Sequence, residues 1–112
     1  MATLKERIVE HLSKKGTYDP DIDDDMIDDL VDSVNLGKTL LKRLQKDGAI
    51  LEYYTTSGSK MLKLSPVLNA YQMVQRNTYQ LSTKLGINRN DRLKLKIVEQ
   101  KERDELDKLL NQ

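Results

Sequence analysis

Apolar and small residues recur along this chain in steps of three and four, and each run starts and stops on a residue suited to a helix end. Between Ser65 and Gly86 the seam is Val67, Tyr71, Val74, Thr78, Leu81 and Leu85. That spacing places one stripe on one face, as in a helix that lies along another helix. Ser65 can accept from the free N–H groups of a first turn, and Pro66 fits the first helical position. Gly86 suits the left-handed residue that ends a helix, with Ile87 packing back over the last turn. Asn88 or Asn90 then caps a further helix, with Asp91 in its first turn. The spacing predicts a helix over 66–86, a tight Leu85-Gly86-Ile87 corner and a helical arm over 90–112.

The earlier chain divides in the same way. Leu4, Ile8, Val9 and Leu12 keep helical spacing up to Lys14-Lys15 and the stop at Gly16, predicting a helix within 1–16. Thr17-Tyr18-Asp19-Pro20 reads as a turn, since the residue before a proline avoids the helical region. Ile27, Leu30, Val31, Val34, Leu41 and Leu44 form one stripe with an acidic start, predicting a long helix over 23–47. Gly37 interrupts this stripe. Asn35-Leu36-Gly37 could be the turn of a helix-turn-helix, making Lys38 to Lys46 a recognition helix. The stripe nevertheless keeps its phase, because Val34 to Leu41 is one heptad. A continuous helix with a neighbour packed close at Gly37 is the favoured reading, at a cost of about 1 kcal/mol in propensity. Ile50 to Tyr54 and Met61 to Leu64, joined by the turn residues Thr55 to Lys60, predict a β-hairpin within 49–64. Such a hairpin must pack on a helix or extend a neighbour's sheet.

Ile97 and Val98 close the apolar pattern, and Glu99 to Glu105 is wholly polar. Its pairs Glu99–Arg103, Lys101–Glu105 and Asp104–Lys108 have the spacing of four that supports a solvated helix. Leu106, Leu109 and Leu110 place an apolar patch at the end of that arm, suited to a partner's groove.

Composition narrows the function. The chain has 112 residues, no cysteine, no Trp or Phe and one histidine, His11. Disulfides and thiolate metal sites are excluded, and a lone His on an amphipathic helix reads as a surface or half-buried residue. Asp19-x-Asp21-x-Asp23 mimics a calcium loop, but Asp24 and Leu30 stand where that loop needs Gly and an acid. Gly37-Lys38-Thr39 lacks the earlier glycine and buried strand of a phosphate loop. No metal site, cofactor or catalytic constellation is expected, so the chain reads as a non-enzyme. No apolar run approaches the length of a membrane span, and no signal-peptide core is present, predicting a soluble intracellular protein.

The net charge of +1 conceals segregation. Asp19 to Asp32 is acidic, whereas Lys38 to Lys63 and Arg76 to Lys96 are basic. Separate surfaces for different partners follow. Lys38, Lys42, Arg43, Lys46, Lys60, Lys63, Arg89, Arg92, Lys94 and Lys96 are the candidate phosphate contacts to double-stranded DNA. The seam residues Ile27, Leu30, Val34, Leu41, Val67, Tyr71, Val74, Leu81 and Leu85 outnumber what a thin monomer core needs. They are the candidate oligomerisation positions, in a long antiparallel helical hairpin whose flanks meet other copies.

Ser65-Pro66, the helix after it, and Leu85-Gly86-Ile87-Asn88-Arg89-Asn90-Asp91-Arg92 together resemble the short phage terminase small subunits. That family's pattern is Asn-Pro, a helix, then Leu-Gly-Leu-Thr-Pro-x-x-Arg. Ser65 replaces its Asn and Asn88-Arg89 its Thr-Pro, each keeping a capping side chain. The order of elements extends the resemblance from about Leu4 to Leu95. The resemblance implies a mainly α, single-domain, ring-forming and non-catalytic protein in the cytoplasm of a bacterial host. Such a protein binds the viral genome and hands it to a large subunit carrying ATPase and nuclease activities, for which Leu106, Leu109 and Leu110 are the candidate docking residues. The individual DNA-contacting residues do not carry over from the family. The alternative is a winged-helix-like transcription regulator with the hairpin as its wing. A structural adaptor without a nucleic-acid role is a third reading.

Overall fold

A computed structural model describes residues 2–97. Helix α1 (Leu4–Lys15) starts on Thr3, whose hydroxyl accepts from the Glu6 N–H at 3.2 Å, and stops on left-handed Gly16. Helix α2 (Pro20–Asp47) begins three residues earlier than the stripe indicated. Pro20 fills the first turn, where its missing N–H costs nothing, and extended Asp19 caps it by accepting from Asp21 N–H at 3.0 Å. The acids Asp21 and Asp23 in that turn complement the helix dipole, as Lys46 does at the other end.

Helix α2 is unbroken through Asn35-Leu36-Gly37, so those residues form no helix-turn-helix. The physical reason is the partner helix. Helix α3 (Pro66–Lys84) runs antiparallel to α2, and Val74 approaches Gly37 where a side chain would otherwise stand. A Cβ added at Gly37 would lie 3.6 Å from Val74 Cγ1, an ordinary van der Waals distance. Gly37→Ala should therefore raise stability by up to about 1 kcal/mol through helix propensity. Gly37→Leu should lower it through overpacking. Thermal melts of the two variants check both signs, and a destabilised alanine variant would refute the close but unstrained packing.

Two apolar clusters hold the α2–α3 pair, with a polar layer between them. Leu41 and Leu44 meet Leu68 and Tyr71 at one end, together with Ala49. Ile27, Leu30 and Val34 join Ile8 and Leu12 of α1 with Leu85, Ile87, Leu95 and Ile97 at the other. In between, the Ser33 and Thr78 hydroxyls hydrogen-bond at 2.7 Å, and Thr78 also donates to the Val74 carbonyl at 2.9 Å. Ser82 donates back to the Thr78 carbonyl at 2.8 Å. The Ser33–Thr78 bond is the one of these that crosses between the helices, and it fixes their register, since sliding them would break it.

Strands β1 (Ile50–Tyr54) and β2 (Lys60–Leu64) form an antiparallel hairpin with Ile50 opposite Leu64 and Tyr54 opposite Lys60. Lys60 thus belongs to the strand rather than to the turn. The hairpin is anchored mainly at its base, where the Ser65 N–H bonds the carbonyl of buried Ala49 at 2.8 Å and Leu51 is half-buried. Alternation along the strands puts Ile50, Leu62, Leu64 and Tyr54 on one face, and all four are exposed.

The corner forms as its residues require. Gly86 is left-handed and bonds the Thr83 carbonyl, and the N–H of buried Ile87 bonds Ser82 O at 2.8 Å. Asn88 caps α4 (Arg89–Lys94) by accepting from Asp91 N–H at 2.9 Å, while the Asp91 carboxylate accepts from Asn88 N–H. The expected continuous arm from residue 90 does not form within the described chain. Helix α4 has six residues, because Lys96 turns left-handed and Ile97 N–H closes back to Arg92 O at 2.9 Å. Ile97 is then buried, so the apolar core draws the chain in at that point. The arm beyond, with Leu106, Leu109 and Leu110, lies outside the described residues.

Candidate nucleic-acid interface

The basic candidates fall into two groups. Lys38, Lys42 and Lys46 follow one another at helical spacing on the C-terminal half of α2, and none has an ion-pair partner among the described residues. Lys42 and Lys46 are exposed and Lys38 is half-buried. Arg43 projects about 100° away from Lys42 at 3.6 residues per turn, and its guanidinium lies 3.7 Å from Asp47. On the hairpin, Lys60 pairs with Glu52 at 3.2 Å, and Lys63 lies 5.7 Å from the Tyr53 ring centroid. Lys38, Lys42 and Lys46 are thus the uncommitted charges of this half.

Arg89, Arg92, Lys94 and Lys96 belong to the corner at the other end. The two apolar clusters at which these ends sit are marked on α2 by Leu30 and Leu44, about 21 Å apart at 1.5 Å per residue. Arg92 stacks on Tyr79 at 4.9 Å and is half-buried, while Arg89, Lys94 and Lys96 are exposed. This separation is produced by the antiparallel return of α3 along α2.

The acidic half of α2 is partly neutralised. Lys5 pairs with Asp28 at 2.8 Å, and the Tyr18 hydroxyl donates to Asp24. That hydrogen bond, helped by burial and by Asp24's charge, pushes the Tyr18 phenol up to about 12. Asp91, which local sequence pattern marks only as a first-turn acid, is the hub of a contact between α1 and α4. Lys15 reaches it at 2.8 Å and His11 Nε2 lies 3.4 Å away. The Lys15 hydrogen bond and the Asn88 N–H outweigh burial and hold the carboxyl at about 2. No local pattern could have paired residues 15 and 91, although both face the same corner.

Of the candidate oligomerisation residues, Ile27, Leu30, Val34, Leu41, Tyr71 and Leu85 are buried within this one chain. Val67, Val74 and Leu81 are half-buried and reach its surface. Leu68, Ser33 and Ser82 are buried seam positions that the apolar pattern did not include. The two serines count as polar in any periodicity, so only their hydrogen bonds reveal them.

Among the described residues there is no cluster of acids or histidine that could hold a metal ion, and no helix is long and apolar enough to cross a membrane. The described residues form a charge-segregated helical hairpin with a small β-hairpin, and they contain the Pro66 helix and the Gly86 corner on which the family resemblance rests. The chain belongs to the phage terminase small subunit family, whose model matches residues 5–102. Small subunits of this family act in phage DNA packaging and are generally non-catalytic. No curated protein and no solved structure matches the chain.

Proposed function

We propose that this protein recognises double-stranded viral DNA as a closed homo-oligomeric ring and presents it to the large ATPase and nuclease subunit of the terminase. The observation that carries the DNA reading is the Lys38, Lys42 and Lys46 ridge, three cations without a carboxylate partner among the described residues. Assembly is supported by the exposed apolar face of a hairpin too small to be stable alone. Recruitment of the large subunit falls to Leu106, Leu109 and Leu110, whose apolar face would enter a groove on that partner. The winged-helix reading loses its recognition helix, since α2 is continuous through Gly37.

Charge reversal tests the reading. Lys38→Glu with Lys42→Glu should weaken binding to duplex DNA at least tenfold whatever its sequence. The salt dependence should flatten by roughly one unit of log–log slope for every phosphate left without its cation. Arg43→Glu should do less, because Arg43 is engaged with Asp47. Fluorescence anisotropy across a salt series reads both effects, and native mass spectrometry reads the assembly. A chain cut after Val98 should keep ring mass and DNA affinity while losing capture of the large subunit. No duplex binding at low salt, or binding indifferent to the reversals, would overturn the DNA assignment. A monomer at every concentration would overturn the ring.

A further inference from the structure

The α2–α3 pair has two unlike flanks. On one, an open groove of about 410 Å³ is lined by Asp29, Asp32, Leu36, Met73, Asn77 and Leu81. Leu36 is 50 % exposed and Met73 66 % exposed at this groove, so its apolar part is uncovered. Asp29 and Asp32 on its rim have no ion-pair partner among the described residues. On the other flank stands an aromatic and basic projection. Tyr79 is 40 % exposed, the Arg92 guanidinium lies 4.9 Å from its ring centroid, and the neighbouring Leu93 is exposed. Arg92 also has no ion-pair partner among the described residues. Tyr79 follows Asn77 by two residues, which places it about 160° around α3 from the groove.

The heights of the two features along the hairpin also agree. Thr78 meets Ser33 at 2.7 Å, so Tyr79 stands level with the Ser33 turn of α2. The groove runs from Asp29 to Leu36, on either side of that same turn. We infer that the groove receives the Tyr79, Arg92 and Leu93 projection of a second copy of this chain, with Arg92 set between Asp29 and Asp32. This deepens the ring reading above and rests on it. A contact between opposite flanks is head-to-tail, and such contacts either close into rings or run on into filaments. Two patches at one height leave little rise per subunit along the hairpin, and the contact closes into a ring when its rotation returns to the first copy. The acids refuse any partner of like charge, while Leu36 and Met73 give the ring of Tyr79 an apolar floor. Arg92 then serves the contact between copies, leaving Arg89, Lys94 and Lys96 as the DNA candidates of the corner.

The test uses two full-length variants whose folding is first checked by circular dichroism. One carries Asp29→Arg with Asp32→Arg and has a disabled groove; the other carries Arg92→Asp and has a disabled projection. Native mass spectrometry should show each alone as a monomer under conditions where the unmodified protein assembles. Mixed, they pair the intact groove with the intact projection and the reversed groove with the reversed projection, so they should assemble together in alternation where neither assembles alone. Combining all three substitutions in one chain should restore the closed assembly. If the unmodified protein assembles and both variants keep its full mass, this interface is wrong while the ring reading stands. The interface is also wrong if both variants are monomeric but their mixture forms no mixed assembly. If the unmodified protein never assembles, the ring reading and this interface fall together.

Discussion

Leu30→Ala should remove about 2–5 kcal/mol of stability, the range for truncating a fully buried leucine where the surroundings cannot collapse. Leu30 is wholly buried where α1, α2, the Gly86 corner and the end of α4 converge. Its neighbours Ile8, Leu12, Leu85, Ile87 and Ile97 come from separate elements tied by their own caps, so none can move in without disturbing a terminus. Domains of this size are stable by only roughly 5–15 kcal/mol, so the loss is a large part of the whole. Urea unfolding of variant and unmodified protein at the same protomer concentration measures it, since apparent stability in an assembling protein depends on that concentration. Ile22→Ala, at an exposed position of α2, serves as the control and should change stability by no more than about 0.5 kcal/mol. A Leu30 loss no larger than that of the control would contradict the convergence of α1 and the corner on this residue.

Acid should loosen the same region through Asp91. Its carboxyl is held at about 2, below its ordinary value of 3.8, first by the Lys15 hydrogen bond and then by Asn88 N–H and the nearby His11. A depressed carboxyl pKa stabilises the fold at pH above the unfolded value. That contribution declines as pH falls from about 4 and is gone once pH passes below about 2. Asp91→Asn keeps an oxygen that can accept from Asn88 N–H but loses the charge that holds Lys15. The variant should therefore melt below the unmodified protein at pH 7, with the gap narrowing between pH 4 and pH 2. Lys15→Met should reproduce the pattern from the other side. Melting curves across that range decide the matter, and a gap that stays constant with pH would show that Asp91 acts by shape alone.

Most of the local structure of this protein is legible in its residues. Ser65-Pro66, Gly86-Ile87 and Asn88 end or begin their helices as their chemistry indicates, because a cap is satisfied by atoms within a few residues. The hairpin is legible for the same reason, with only Lys60 moved from turn to strand. The apolar stripe places the start of α2 late because it begins after the first turn, whereas Asp19 and Pro20 start the helix through capping alone. For α4 the pattern errs in the opposite direction and gives a helix that is too long. Nothing polar about Lys96 announces a left-handed turn; the burial of Ile97 in a core built by distant segments imposes it.

The candidate site divides along the same line. The sequence by itself determined that this protein is a mainly helical, charge-segregated chain with a Pro-led helix and a Gly corner, and those features carried its family. It also determined which residues are cationic, since charge belongs to the residue and not to its surroundings. Tertiary structure alone decided which cations are free and which acids face an open groove. It alone joined Ser33 to Thr78 in a buried register lock and Lys15 to Asp91. These pairings unite residues that packing brings together from remote parts of the chain. A helical period reports only which face a residue occupies, whereas the packing of whole helices decides what that face meets.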